Sequence, residues 1–190
     1  MKIALLGYGK MGKEIESMAI QRGHSVELRI NKENAASATL QDLQKADVAI
    51  EFSTPHTVLD NVYRCMNAGV PVVIGTTGWY DKFEEVVQRC KEANGSLFHA
   101  TNFSVGVNLF YKVNSFLAEL MNKYPDYDVS MEEIHHIHKL DKPSGTAITL
   151  ANQVISKLER KKKWSIGENG SDVMRIVDKR EGDVPGTHII

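Results

Sequence analysis

In the N-terminal half, short apolar runs alternate with stretches where apolar side chains recur every three or four positions. The runs are residues 2–6, 25–30, 47–52, 70–74 and 96–100. Each is too short for a globular helix and is rich in aliphatic residues, as expected of strands buried on both faces. Between them, Met11, Ile15, Met18 and Ala19 keep helical spacing up to Gly23, and Val58, Val62 and Met66 share one face of a helix over 57–68. Residues 80–93 form another amphipathic helix, while 31–46 is polar and Ala-rich, a loop with a short helix. Strands alternating with helices in this way predict a parallel, doubly wound sheet.

The second half has a different rhythm. Helical spacing runs from Val107 to Tyr124 through Phe110, Val113, Asn114, Leu117 and Met121. From Asp128 the period falls to two, predicting a strand that continues through the histidines at 135–138. A helix over 144–161, a loop over 167–172 and strands at 173–178 and 188–190 follow. The fold expected is α/β: a doubly wound parallel sheet in residues 1–104, then an α+β unit in 105–190. The last residues, Thr187-His188-Ile189-Ile190, are strand-like with no polar closure, so we expect the sheet to continue past residue 190.

Composition narrows the function classes. The 190 residues are 42% hydrophobic and 25% charged with a net charge of −1, which provides no global field for nucleic acid or an anionic membrane. The basic run Arg160-Lys161-Lys162-Lys163 reads as a solvated helix end. No apolar stretch approaches the ~18 residues of a membrane span, and residues 2–6 are too short for a signal peptide. Cys65 and Cys90 have no CxxC spacing and read as reduced thiols of a cytoplasmic protein.

Gly7-Tyr8-Gly9-Lys10-Met11-Gly12 matches G-x-G-x-x-G between the first strand and the first helix, where a dinucleotide-binding loop must lie. Gly7 serves the tight turn, Gly9 the approach of a pyrophosphate, Gly12 the helix–sheet packing, and the helix N-terminus attracts phosphate. The first unit is therefore read as a Rossmann-type domain. After the second strand, Asn31 stands where an acidic residue would hold NAD ribose hydroxyls. Lys32 could meet a 2′-phosphate, so NADPH is favoured over NADH, with Glu33 keeping NADH open. Phe52, Ser53 and Thr54, then Gly75, Thr76 and Thr77, then Ala100, Thr101, Asn102 and Phe103 follow the carboxyl ends of strands. Ligands of such sheets bind there, so these residues are expected to line the cofactor crevice.

The chemistry is concentrated in residues 132–147. Three histidines and two lysines, His135, His136, His138, Lys139 and Lys142, precede Pro143-Ser144-Gly145-Thr146, a helix start able to receive an anion. Ser144 or Thr146 could cap it. On a continued strand, His136 and His138 would share a face opposite to His135 and Ile137. Structural histidines and a His-x-His metal site are the competing readings. The neighbouring lysines count against metal, and no metal is expected.

The stretch Glu133-Ile134-His135-His136-Ile137-His138-Lys139-Leu140-Asp141-Lys142-Pro143-Ser144-Gly145-Thr146-Ala147 closely resembles the signature of the dihydrodipicolinate reductase family. Gly75-Thr76-Thr77-Gly78 and Asn102-Phe103-Ser104-Val105-Gly106-Val107-Asn108 also look like that family. The resemblance implies an NAD(P)H-dependent reductase of diaminopimelate and lysine synthesis, usually a homotetramer built through the second domain. It implies His135 and Lys139 as the catalytic pair, His136 as a contact for a substrate carboxylate, and Ser144, Gly145 and Thr146 as a cradle for a carboxylate of a small dicarboxylate substrate. The proton could come from His135 through water or from Lys139. His138 and Lys142 receive no definite role. The chain departs from the family pattern in a shorter glycine loop, in Asn31 at the acidic position, and in the further strands and last helix that the resemblance places after Ile190.

Two other classes compete. A non-catalytic dinucleotide-sensing module would carry a DNA-binding element or a basic stripe, and neither is present. Another two-domain Rossmann oxidoreductase working through a thioester would need a cysteine at the site, and both cysteines fall in helices of the first unit.

Overall fold

A computed structural model describes residues 1–139 and 141–190. The chain divides into two compact units, Met1–Thr101 and Asn102–Ile190. The reading of the sequence set this division after residue 104.

The first unit is built on five parallel strands, β1 (Lys2–Leu6), β2 (Ser25–Ile30), β3 (Val48–Glu51), β4 (Val72–Ile74) and β5 (Leu97–His99), in the order β2-β1-β3-β4-β5. The helices between them are α1 (Lys10–Gln21), α2 (Leu40–Leu43), α3 (Val58–Ala68) and α4 (Phe83–Glu92), the last entered through a 3-10 turn at Tyr80–Lys82. Ile3, Leu5 and Ala19 are buried on one side of the sheet, while Leu6, Ala49, Val62, Ile74 and Val86 belong to the larger core. Neighbours of β1 lie on both sides, so the chain reverses direction between β1 and β3, the switch point where such sheets bind ligands.

The second unit has α5 (Val105–Met121), β6 (Ser130–His135), α6 (Gly145–Lys157), β7 (Lys163–Ser165), β8 (Val173–Arg180) and β9 (Thr187–Ile189). Its sheet has the order β7-β8-β6-β9, with β9 antiparallel to β6 and the other pairs parallel. Ala147, Leu150, Ala151 and Val154 of α6 are buried with Met131, Met174 and Ile176 of the sheet, joined by Tyr111 and Ala118 of α5.

Three expectations change here. β6 ends at His135, so 136–139 form a turn and His136 and His138 are not on a strand face. α6 ends at Lys157, four residues short of Lys161, and β7 was not anticipated. The run Arg160–Lys163 is not a solvated helix end. Lys161 is only 2% exposed, its Nζ 2.9 Å and 3.1 Å from the carbonyls of Val173 and Ser171 and 2.8 Å from Asp128. Arg160 donates to the carbonyls of Met121 and Tyr127. Among the described residues, no helix is long and apolar enough to cross a membrane.

Candidate functional sites in the two units

In the first unit, the glycine loop lies between the ends of β1 and β3. The Gly7 and Tyr8 amides both donate to the Ile30 carbonyl at 2.9 and 3.0 Å, tying the loop to the end of β2. Gly7 has φ +98°, and a Cβ there would overlap the Phe52 carbonyl oxygen and stand 2.6 Å from the Ser53 nitrogen. A Cβ on Gly12 would overlap the Gly7 carbonyl oxygen, whereas a Cβ on Gly9 would meet nothing within 4 Å. The loop is therefore closed on two sides and open on the third. Gly9 is the N-cap of α1 and supplies no side-chain cap, so the first amides of α1 remain available to an anion. Lys10 and Met11 are exposed in that first turn.

The loops after β3 and β4 complete the crevice. The Ser53 amide donates to Thr76 Oγ1 at 2.8 Å, and Ser53 Oγ bonds Glu51 and reaches Thr57 Oγ1 at 2.9 Å. The Thr54 hydroxyl lies 3.0 Å from that of Thr57. Gly75 faces the Phe52 ring so closely that a Cβ would overlap it. Thr76 is buried and Thr77 exposed. Ala100 and Thr101 follow β5, whereas Asn102 and Phe103 fall in the second unit, where Asn102 Oδ1 accepts from the Ser104 amide. A residue that the sequence did not single out is Glu51, fully buried at the end of β3. Asn61 Nδ2 donates to its Oε1 at 3.2 Å, and its Oε2 has no hydrogen-bond partner among the described residues.

At the end of β2, Asn31 Oδ1 accepts from the amides of Glu33 and Asn34 at 2.8 and 3.1 Å, so this side chain holds its own turn. Lys32 is exposed and forms no ion pair among the described residues. Arg29 cannot serve in its place. It is bound to Glu16 of α1, which also accepts from the Tyr8 hydroxyl, and these partners hold the Glu16 carboxyl below its usual range. The donor set fits a dinucleotide: an open Gly9, uncapped amides and small hydroxyl residues at the switch point. Cys65 is buried in α3, and burial pushes its thiol up to about 12, which removes it as a nucleophile at neutral pH.

In the second unit, β6 carries Glu133 and His135 inward on the same face, at positions i and i+2. His135 is 6% exposed, its backbone carbonyl accepting from the Glu181 amide at 2.8 Å. Its Nδ1 lies 3.4 Å from Glu133 Oε2, and His188 Nε2 of β9 lies 3.3 Å from the same oxygen. The His135 and His188 rings meet edge to face at 5.2 Å. Burial chiefly lowers the pKa of both imidazoles; the Glu133 charge opposes this and Lys139 adds to it. His188 and Arg180 lower His135 further.

Beyond β6 the chain turns. His136 is half-buried, its Nδ1 without a hydrogen-bond partner among the described residues, and His138 is exposed, its ring 6.2 Å from that of His136. Lys139 Nζ pairs with Asp141 at 2.8 Å. Arg180 fastens this turn from β8, donating to the carbonyls of Lys139 at 3.3 Å and Asp141 at 2.6 Å. Lys142 reaches Asp178 only at 4.0 Å. Ser144 is the cap of α6, with its Oγ accepting from the Ala147 amide at 3.1 Å and lying 3.1 Å from His188 Nε2. Its own amide donates to Glu133 Oε1 at 2.8 Å. Ser144 is thus engaged on all sides, and of the next two residues at the helix start Gly145 is exposed and Thr146 half-buried. A Cβ on Gly145 would meet nothing within 4 Å.

Glu133, His135 and His188 each bring a ligand atom within 4.8 Å of the others. Lys139 and Arg180, whose charge disfavours a proton on His135, would disfavour a cation there in the same way.

Sheet order, loop and crevice define a Rossmann-type dinucleotide-binding protein with an appended α+β unit bearing a buried imidazole–carboxylate cluster. Residues 1–103 match the family model described as dihydrodipicolinate reductase, N-terminus, and residues 106–190 that described as dihydrodipicolinate reductase, C-terminus. The chain belongs to the dihydrodipicolinate reductase family and is an NAD(P)H-dependent oxidoreductase. It is 43% identical over 190 residues to the 4-hydroxy-tetrahydrodipicolinate reductase of Christiangramia forsetii, covering 100% of this chain and 79% of that protein. The Chromobacterium violaceum protein of the same description is 36% identical over 154 residues, covering 77% of this chain and 57% of that protein. A solved dipicolinate-bound dihydrodipicolinate reductase from Paenisporosarcina shares the fold with a TM-score of 0.74 at 23% identity, over 99% of this chain and 81% of that one.

Proposed function

We propose that this chain reduces 4-hydroxy-tetrahydrodipicolinate, in equilibrium with its dehydrated imine, to tetrahydrodipicolinate in diaminopimelate and lysine synthesis. In balance, substrate, NAD(P)H and one proton give tetrahydrodipicolinate, NAD(P)+ and water. The observation that carries this reading is the meeting of a buried imidazole, an ammonium and an open helix N-terminus just past β6. Within the family, such a set suits a cyclic dicarboxylate.

Gly7, Tyr8, Gly9, Lys10, Met11 and Gly12 would hold the pyrophosphate through the loop and the α1 amides. Asn31 and Lys32 would face the adenosine ribose. Phe52, Ser53, Thr54, Gly75, Thr76, Thr77, Ala100, Thr101, Asn102 and Phe103 would line the rest of the nucleotide path. When bound, the reduced nicotinamide supplies the hydride.

Gly145 and Thr146 would receive one substrate carboxylate on backbone amides and the Thr146 hydroxyl, with Ser144 fixing the helix start and His136 contacting a carboxylate. Lys139 places positive charge where negative charge builds on the ring nitrogen as the carbon is reduced. Reduction at the ring carbon conjugated with the C=N bond leaves an enamine anion, and His135 or Lys139 delivers the proton, which ends on the intervening ring carbon and restores the C=N bond of tetrahydrodipicolinate. For His135, its lowered pKa makes the imidazolium a willing donor. The reading carries with it NADPH ahead of NADH, a cytoplasmic location and a homotetramer built through the second unit. The outward apolar residues of α5, Leu109, Val113, Phe116 and Leu120, support a face that meets another surface.

The test is a coupled assay in which pyruvate, aspartate semialdehyde and their condensing synthase generate the substrate, and oxidation of NADPH or NADH is followed. Synthase-dependent oxidation is expected. His135→Gln or Lys139→Ala should lower turnover by about 10²-fold or more with cofactor affinity unchanged. Absence of synthase-dependent oxidation would sink the proposal.

A further inference from the structure

We propose that Glu133 is a positioning residue whose one buried carboxylate holds the His135 imidazole on one oxygen and the start of α6 on the other. Proton donor and carboxylate cradle would then be set by a single group. This rests on the reading that His135 and the α6 N-terminus face the substrate.

A fully buried carboxylate is expensive unless its partners compensate it, so what surrounds Glu133 is informative. Oε1 is committed to the Ser144 amide at 2.8 Å, and Ser144 is the cap residue of α6. Oε2 stands between two imidazole nitrogens at 3.3 and 3.4 Å without an aligned hydrogen bond to either. Catalytic hydrogen bonds often have such loose geometry before substrate closes the site. The groups facing His135 are Glu133 on its own strand, His188 from β9, Lys139 from the turn and Arg180 from β8. Glu133 is the only anion among them, so it alone favours the imidazolium.

The opposite side of Glu133 is arranged to keep that charge in place. Asp178 pairs with Glu133 across the β6–β8 ladder, and Arg180 Nη1 lies 2.9 Å from Asp178 Oδ2. Burial and the Glu133 carboxylate raise the Asp178 pKa. For Glu133, burial acts upward, but hydrogen bonds from Ser144 and Asp178 outweigh it and the net shift is downward. Both directions favour an ionised Glu133 beside His135, while the Arg180 guanidinium against Asp178 works the other way on Asp178.

Glu133→Gln keeps an oxygen for the Ser144 amide and removes the charge. The His135 imidazole, followed by NMR titration, should then titrate about one pH unit lower or more. The descending limb of the kcat/KM pH profile should move with it, with at least about a tenfold loss at pH 7.5 and cofactor affinity unchanged. Glu133→Asp should restore the midpoint in part. His188→Gln removes the competing imidazole from Oε2 and should move His135 the other way, to higher pH. It carries the test if Glu133→Gln does not fold. Unchanged His135 midpoints in folded Glu133→Gln, or an unmoved or lowered midpoint in His188→Gln, would overturn the proposal. If the wild-type chain shows no synthase-dependent turnover, the substrate assignment fails, and the imidazole titrations still decide the role of Glu133.

Discussion

Replacing Gly7 and Gly9 separately by alanine should split folding from binding within one loop. At Gly7 an alanine must adopt φ +98°, a left-handed value that costs an L-residue about 1–2 kcal/mol. Its Cβ must also displace the Phe52 carbonyl and the Ser53 amide, which are backbone atoms and cannot swing aside. Forced overpacking of this kind costs about 1–3 kcal/mol. The sum, about 2–5 kcal/mol, is a large part of the ~5–15 kcal/mol that holds a domain together. At about 4–8 °C per kcal/mol for a domain of roughly 100 residues, the first unit should melt at least ~8 °C earlier. At Gly9, φ is −91° and a Cβ meets nothing within 4 Å. Gly9→Ala should melt within about ±0.5 kcal/mol of wild type. Its methyl would occupy the open side of the loop, so NADPH affinity should fall at least about tenfold. Differential scanning fluorimetry with and without NADPH, together with a fluorescence titration, measures both. Wild-type melting in Gly7→Ala, or wild-type NADPH affinity in folded Gly9→Ala, would refute the division of roles.

Lys161→Met should destabilise the second unit by about 2–4 kcal/mol in urea unfolding, because the carbonyls of Ser171 and Val173 lose their buried donor; a surface-like change under ~0.5 kcal/mol would contradict the burial. Lys32→Ala should raise KM for NADPH several-fold and leave KM for NADH unchanged, whereas equal changes would show that Lys32 does not meet a 2′-phosphate. His135 and His188 both titrate below the ordinary histidine value of about 6.5. The unfolded chain therefore takes up protons first as pH falls. Stability is full above that value and is lost as pH drops through the folded pKa values. The urea midpoint of the second unit should be lower at pH 5 than at pH 7.5, and an equal or higher midpoint would reverse the sign.

The first unit was legible because most of its strands are strongly apolar runs and its glycine loop stands in a fixed place relative to them. The α6 boundary was not. Residues 158–161 keep helical spacing, but Leu158 is extended (φ −102°, ψ 92°) and Lys161 turns inward to backbone carbonyls, a tertiary effect that periodicity cannot register. The three residues of β7 are too short to show alternation. Pro-Ser-Gly-Thr left the cap open between Ser144 and Thr146, and Ser144 is the one that serves. The strand reading of His136 and His138 failed because β6 stops at His135, after which the Ile137 amide pairs with the Gly182 carbonyl. The i, i+2 relation of Glu133 and His135 was available as a signal. Arg180 and His188 lie more than forty residues away in sequence, and only strand order brings them to His135.

That separation has a consequence for synthesis. The first sheet is complete once β5 has emerged, so the dinucleotide crevice can form on a growing chain. The imidazole–carboxylate cluster needs β6, β8 and β9 together, and its last member in chain order is His188, well after β5. During translation at ~5–20 residues per second, the chain passes through several seconds in which the glycine loop is ready while Glu133 is an anion without its imidazole partner on β9. A nascent chain would therefore acquire affinity for a dinucleotide before it acquires a means of moving a proton.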